Sequence, residues 1–120
     1  MATVTWVKCG TGANWCPLQT LDMASISGTP IGVYVIWHEG TPSRVVRVGQ
    51  GNIVDRLSVH RNDDKITKYR SFGTLRVTWA SVPKKADRDG IERYLANHYG
   101  PLVGDAWPDV VPIAVNLPGS

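Results

Sequence analysis

The amino-acid sequence predicts an α+β domain, a small central antiparallel sheet of about three strands flanked by helices. Two apolar, β-branched runs, residues 31–37 and 44–49, are separated by a short polar stretch containing Glu39, Gly40, Thr41 and Pro42, the pattern of a hairpin. A third run, residues 74–82, alternates between apolar and polar positions. Helical spacing follows the second and third runs, at residues 52–61 and 86–99. The expected order is strand, strand, helix, strand, helix.

The first strand is apolar at almost every position, so both its faces should be covered and it should lie centrally. In the second, simple alternation turns Val46 and Val48 one way and Val45, Arg47 and Gly49 the other, and lets Tyr34 and Arg47 share a face of the hairpin. Gly49, Gln50 and Gly51 read as a turn into the first helix, where Asn52 is a natural N-cap and Asp55 follows three residues later. Arg56 and His60, four apart, share one helical face. Residues 62–70 form a polar loop or partly helical lobe, in which Lys65, Lys68 and Arg70 around Tyr69 suit a phosphate backbone and suit solvent equally well. Leu75, Val77 and Trp79 should face inward from the third strand. The second helix should turn Ile91, Leu95 and His98 inward and stop at Gly100 and Pro101; Arg88 and Glu92, and Asp89 and Arg93, stand four apart, so the bland reading of Glu92 is a surface salt bridge.

A chain of 120 residues is expected to be one domain, with residues 1–31 an N-terminal extension, 32–104 the core and 105–120 a packed tail. Residues 3–8 alternate crudely as a strand would, and residues 18–26 read as a short helical segment. Trp6 and Trp15 read as packing residues. The tail carries Trp107 and a Val/Ile run that must be buried somewhere, so it should lie extended across the body. The 42% apolar content and mean hydropathy of -0.14 include no run near the ~20 residues of a membrane span. The first residues lack a basic region followed by an apolar one, so the expected location is cytoplasmic and Cys9 and Cys16 should be reduced structural thiols. His38 and His98 are assigned no role. Net charge is +3, yet between Arg44 and Arg93 twelve Lys and Arg face six acids, while the rest of the chain is acidic. A basic middle favours a polyanion, because binding releases its counterions.

Around these residues the chain resembles the GIY-YIG nuclease family. Gly32-Val33-Tyr34 is similar to the first motif and Arg47-Val48-Gly49 to the second; Arg56 and His60 resemble the catalytic Arg and His of the first helix, and Glu92 the metal-binding Glu. The likeness runs from about Gly32 to Gly104, and it lies in the ordered set rather than in any single motif. Two positions depart from it: Arg47 stands where the second motif has Tyr, and Gly104 where an Asn is expected. Asp105 or Asn116 is expected to fill the place beside Glu92 that Gly104 leaves.

The resemblance implies a Mg²⁺-dependent endonuclease acting on DNA, with Mn²⁺ as a substitute metal and no other cofactor. Glu92 would bind the metal, a role one carboxylate can fill beside water and substrate phosphate. Arg56 would hold the phosphate with its fork of donors. Tyr34 would help deprotonate the attacking water, a task for which a phenol needs a neighbouring cation, and Arg47 could be that cation or bind a phosphate itself. His60 would orient the water or share the proton. The rival readings are a non-catalytic nucleic-acid-binding module on the same scaffold and a protein-interaction or inhibitor domain.

Overall fold

The computed structural model describes residues 2–9, 14–28, 30–104 and 106–119. Strands β1 (Cys16–Pro17), β2 (Ile31–His38), β3 (Arg44–Asn52) and β4 (Leu75–Ser81) form one antiparallel sheet in the order β1-β4-β2-β3. Helices α1 (Ile53–His60) and α2 (Asp64–Thr67) connect β3 to β4, and α3 (Lys85–Tyr99) follows β4. The expected order therefore holds, and the α+β class with it. The sheet has four strands rather than three, because Cys16 and Pro17 pair with Val77 and Arg76.

β2 is central, as its composition demands. Val33 and Val35 point into one apolar cluster with Val48, Ala80, Ile91 and Leu95, beneath α3. Tyr34 and Ile36 point into the other, with Val46, Ile53, Leu57, Ile66 and Val77, beneath α1 and α2. Each fully buried Leu or Ile of this kind contributes about 2 kcal/mol. Helix α1 begins where the sequence signals it: the Asn52 side chain accepts from the Asp55 amide at 3.1 Å. Helix α3 covers the other face with Ile91 and Leu95, while His98, expected to face inward, is exposed.

Several local expectations are overturned, each by tertiary pairing. Gly49, Gln50 and Gly51 are not a turn but the last part of β3, paired with Tyr34, Val33 and Gly32. The register shifts between Ile36 and Trp37, so simple alternation fails there. Val46 consequently joins the cluster of Ile36, while Val45 lies against that of Val48. Residues 3–8 make no strand; Val7 donates to the Trp79 carbonyl at 2.9 Å and accepts from the Thr78 hydroxyl at 2.7 Å. Of the helical segment expected at residues 18–26, only a 3-10 turn, Met23–Ser25, is formed.

Cys9 and Cys16 are joined in a disulfide, not left as thiols. An isolated antiparallel bridge pairs Cys9 with Asn14, and the Cα atoms of Cys9 and Cys16 lie 4.9 Å apart. The tail packs as expected at Val115, which is buried beside a parallel bridge to Ala2, although Val111 stays exposed. Asn116 joins the two ends of the chain: its side chain accepts from the Val4 amide at 2.8 Å and donates to the Val4 carbonyl at 2.9 Å. Among the described residues no helix is long and apolar enough to cross a membrane.

The tightest approach in the sheet is at Gly32, where a Cβ would lie 1.8 Å from the Ala80 carbonyl oxygen. Gly32→Ala must push β2 and β4 apart, and we expect a loss of about 3 kcal/mol or more, at the top of the range for overpacked cores. Urea denaturation checks it; a loss below about 1 kcal/mol, no more than a tolerated isosteric swap, would show that the strands yield easily.

Candidate active site

The site lies at the outer edge of β3. Leu102 and Val103 cover the first part of that edge, donating to the carbonyls of Val45 and Val46 at 3.2 and 2.8 Å. From Arg47 onward no further strand of the described residues pairs with it. Side chains from both faces of the sheet converge there.

On the α1 face, Tyr34 stands opposite Gly49. A Cβ on residue 49 would lie 2.1 Å from the Tyr34 hydroxyl, so only glycine lets the phenol cross the hairpin. Beyond it the hydroxyl meets His60 Nε2 at 2.6 Å; which of the two donates depends on the ring tautomer. Both side chains are buried, with His60 3% exposed. His60 Nδ1 has no hydrogen-bond partner among the described residues. Burial first, then the positive charges of Arg47 and Arg56, lower the His60 pKa to about 4 against a weaker opposing pull from Asp63. The imidazole is therefore neutral at pH 7.

Arg47 stands opposite Ile36 and shares the face of Tyr34, as expected. Its Nε is buried without a partner among the described residues. A Cβ on Gly104 would come within 3.0 Å of Arg47 Nη1 and 3.2 Å of Trp107 Cζ2. The guanidinium thus occupies space that any side chain at position 104 would need. The two positions that depart from the family pattern are neighbours in space. Arg56 runs beside Gly51, whose Cβ would lie 3.4 Å from Arg56 Cγ.

On the α3 face, Gln50 links two carboxylates. Its Nε2 donates to Asp89 Oδ1 at 2.6 Å and, at 3.4 Å, to Glu92 Oε2, while its Oε1 accepts from Arg88 Nε at 3.1 Å. Arg88 also donates to the Val82 and Pro83 carbonyls, and Lys85 pairs with Asp89 at 2.9 Å. The i,i+4 neighbours Arg88 and Glu92, and Asp89 and Arg93, are not among the ion pairs formed by the described residues. Glu92 is instead 8% exposed. Burial raises its pKa, opposed by the Gln50 hydrogen bond and by the charge of Arg47 and reinforced by Asp89. Arg47 is therefore felt on both sides of the edge, by His60 and by Glu92.

Tyr34, His60, Arg47 and Arg56 are thus brought together, with Glu92 across the edge. Lys65, Lys68 and Arg70 lie exposed on α2 and the following 3-10 turn, outside this network. Asn116 cannot serve Glu92 while both its amide groups are committed to Val4, and Asp105 lies outside the described residues. Gln50 and Asp89 were missed by sequence reading. The signal for Asp89 was its position one helical turn before Glu92, and for Gln50 it was masked by reading Gly49 to Gly51 as a turn.

Among the described residues no group of three or more His, Cys, Asp or Glu converges as a metal cage. A magnesium ion does not require one, since it is held by one or two carboxylates, several waters and substrate phosphate. Glu92 fits this use: its carboxylate is buried, forms no ion pair among the described residues, and has Asp89 sharing its Gln50 donor. No family model, no curated protein and no solved structure matches the chain.

The lowered His60 pKa makes stability depend on pH in a defined sense. Between about 6.5 and 4 the unfolded chain takes up a proton that folded His60 refuses, so this contribution is whole above 6.5 and is lost as pH falls toward 4. Glu92, raised above its ordinary 4.5, acts in the opposite sense, its contribution present below 4.5 and lost as pH rises through its folded value. Urea midpoints measured between these limits should fall toward acid in the wild type and fall less in His60→Gln, which keeps a hydrogen-bonding group for Tyr34. Equal slopes would show that the imidazole is not held neutral by burial.

Proposed function

We propose that this chain is a Mg²⁺-dependent nuclease of the GIY-YIG type that hydrolyses DNA phosphodiester bonds. The observation that carries the reading is the convergence on one sheet edge of a phenol hydrogen-bonded to a neutral imidazole, two guanidiniums and a buried carboxylate. Arg56 and Arg47 hold the phosphate oxygens and oppose the charge that builds on them during attack. The Nε of Arg47 is a buried donor with no partner among the described residues to give up. The attacking water loses its proton to the Tyr34 oxygen while the phenol proton moves to His60 Nε2. A phosphate held by Arg47 and Arg56 offsets the two positive charges that help keep the imidazole near 4, so His60 becomes a better proton acceptor when substrate is bound. Glu92, with Asp89 beside it, would hold Mg²⁺, which supplies Lewis-acid stabilisation of the phosphoryl oxygens and a more acidic bound water.

One observation favours the rival reading of a non-catalytic DNA-binding module: Tyr34 is 0% exposed. For the phenol to meet water, side chains at the β3 edge must move when DNA binds. Incubation of supercoiled plasmid with the protein, with Mg²⁺ and with EDTA, separates the two. Relaxed or linear plasmid with Mg²⁺ alone supports the nuclease; bound but uncut plasmid supports the module. The disulfide bears on location, since such bonds persist in oxidising compartments, and argues against the cytoplasmic placement expected from the pattern of the first residues.

Glu92→Gln and Arg56→Ala should each slow cleavage by about 10²-fold or more, the effect of losing one preorganised electrostatic group. Their effects on binding should differ: without metal, Glu92→Gln binds DNA as well as the wild type or better, whereas Arg56→Ala binds less well. Variants that cut at the wild-type rate would remove both residues from the chemistry.

Arg47→Ala should weaken binding and reduce the salt slope of affinity by about one unit, the signature of one lost phosphate contact. An unchanged slope with cleavage lost would assign Arg47 to the reaction rather than to binding.

A further inference from the structure

At the opposite end of β3 lies a cleft of about 350 Å³ that the proposed chemistry does not use. Its walls include Trp15, Trp37, Arg44, His98, Tyr99 and Pro118. Trp15 and Trp37 meet edge to face, with ring centroids 5.5 Å apart and planes at 83°, so the two indoles present surfaces at right angles. Arg44 and His98 are exposed at the rim, and the Lys8 ammonium, outside the lining, covers the Trp15 ring at 4.5 Å from its centre. Tyr99 is held edge to face against His98 at 4.8 Å.

Aromatic planes with cations around them and no acid among the lining residues make a definite kind of site. The nearby Glu39 is already engaged by Arg76 at 2.9 Å. An apolar peptide would need the planes but not the cations, and a simple phosphate would need the cations but not the planes. A nucleotide with an unpaired base needs both, because bases stack on indoles while the attached phosphates draw Lys and Arg. The cleft's volume is at the small end of the range for ligand sites, enough for one flat ring system rather than a duplex.

The cleft is also placed for this use. Helix α3 carries Glu92 near one end of β3 and His98 and Tyr99 near the other, six to seven residues on, or about 10 Å along the helix. At about 3.4 Å per stacked nucleotide that is about three base steps. We propose that this cleft receives an unpaired base of a DNA strand about three nucleotides from the position cut at Glu92. The inference rests on the nuclease reading for that spacing. It implies a substrate with a single-stranded segment, such as a flap, a branch or a frayed end, rather than continuous duplex.

The test uses the full chain and single-stranded oligonucleotides carrying the fluorescent base 2-aminopurine at each position in turn. Stacking in the cleft should quench the probe at one position only. Trp37→Leu should abolish that quench and weaken single-strand affinity about tenfold, the effect of one base stacked on one aromatic. Because Trp37 is half-buried in β2 and its loss could unfold the sheet, Arg44→Ala serves as the second variant; Arg44 is exposed and should cost a few-fold in affinity and about one unit of salt slope. Blunt duplex binding should change little with Trp37→Leu. Unchanged single-strand affinity and salt slope in Arg44→Ala would overturn the proposal, and so would an unchanged quench in a folded Trp37→Leu. Plasmid cutting by the wild type with no quenched position would sink the cleft and leave the nuclease standing, whereas a quenched position without any cutting would sink the nuclease and leave the cleft as a base-binding site.

Discussion

The Tyr34 phenol reaches His60 only because residue 49 has no side chain. With a Cβ 2.1 Å from the hydroxyl, any other residue would force the ring out of the space between β3 and α1. Much follows from that one approach. The hydroxyl bonds Nε2 at 2.6 Å, which fixes the end of α1 against the hairpin. His60 is the last residue of α1, so its burial also fixes the rotation of that helix, which buries Leu57 and carries Arg56 toward Gly51. A structural contact between strand and helix and the geometry of the candidate site are the same contact.

The edge position of β3 explains how one arginine can act on groups from opposite faces of the sheet. Strand β2 is flanked on both sides, so its side chains are committed to one core or the other. Beyond the part of β3 covered by Leu102 and Val103, a long side chain meets no neighbouring strand. Arg47 shares a face with Tyr34 yet its charge lowers the pKa of His60 and opposes the rise at Glu92. Gln50, three residues on, faces α3 and ties Asp89 and Glu92 to the same strand. The carboxylates and the imidazole are thereby linked through β3 rather than through direct contact.

Strands and helices dominated by period were legible from sequence, and pairings that depend on distant partners were not. The apolar run of β2, the Asn52 cap of α1 and the Ile91 and Leu95 face of α3 follow from local spacing and hold in the structure. Gly49 to Gly51 look like a turn because two glycines in three residues lose little by being irregular, but pairing with Gly32 to Tyr34 makes them strand. Likewise the bulge beside Trp37 cannot be read from alternation, since it is the register of two strands that moves Val46 to the Ile36 side. Arg56, His60 and Tyr34 were placed by motif and found together. Gln50 and Asp89 belong to no motif, and only the packing of α3 on β3 reveals them. The bland alternative for Glu92, an ion pair with Arg88 four residues before it, is not formed among the described residues: Arg88 bonds Gln50 and the carbonyls of Val82 and Pro83.

The pairing of Arg47 with Gly104 bears most directly on what the site can do. A Cβ at position 104 would lie 3.0 Å from Arg47 Nη1, so a side chain there would crowd the guanidinium. Gly104 also has a φ of +108°, a conformation that favours glycine on its own account. Arg47 thus brings to this edge a positive charge whose buried Nε has no partner among the described residues. That charge lowers the pKa of the buried imidazole further than burial alone. On the proposed reading such a site leans toward anion binding, and any proton transfer in it would rest on the Tyr34 and His60 pair, the only phenol and imidazole that the described contacts bring to this edge.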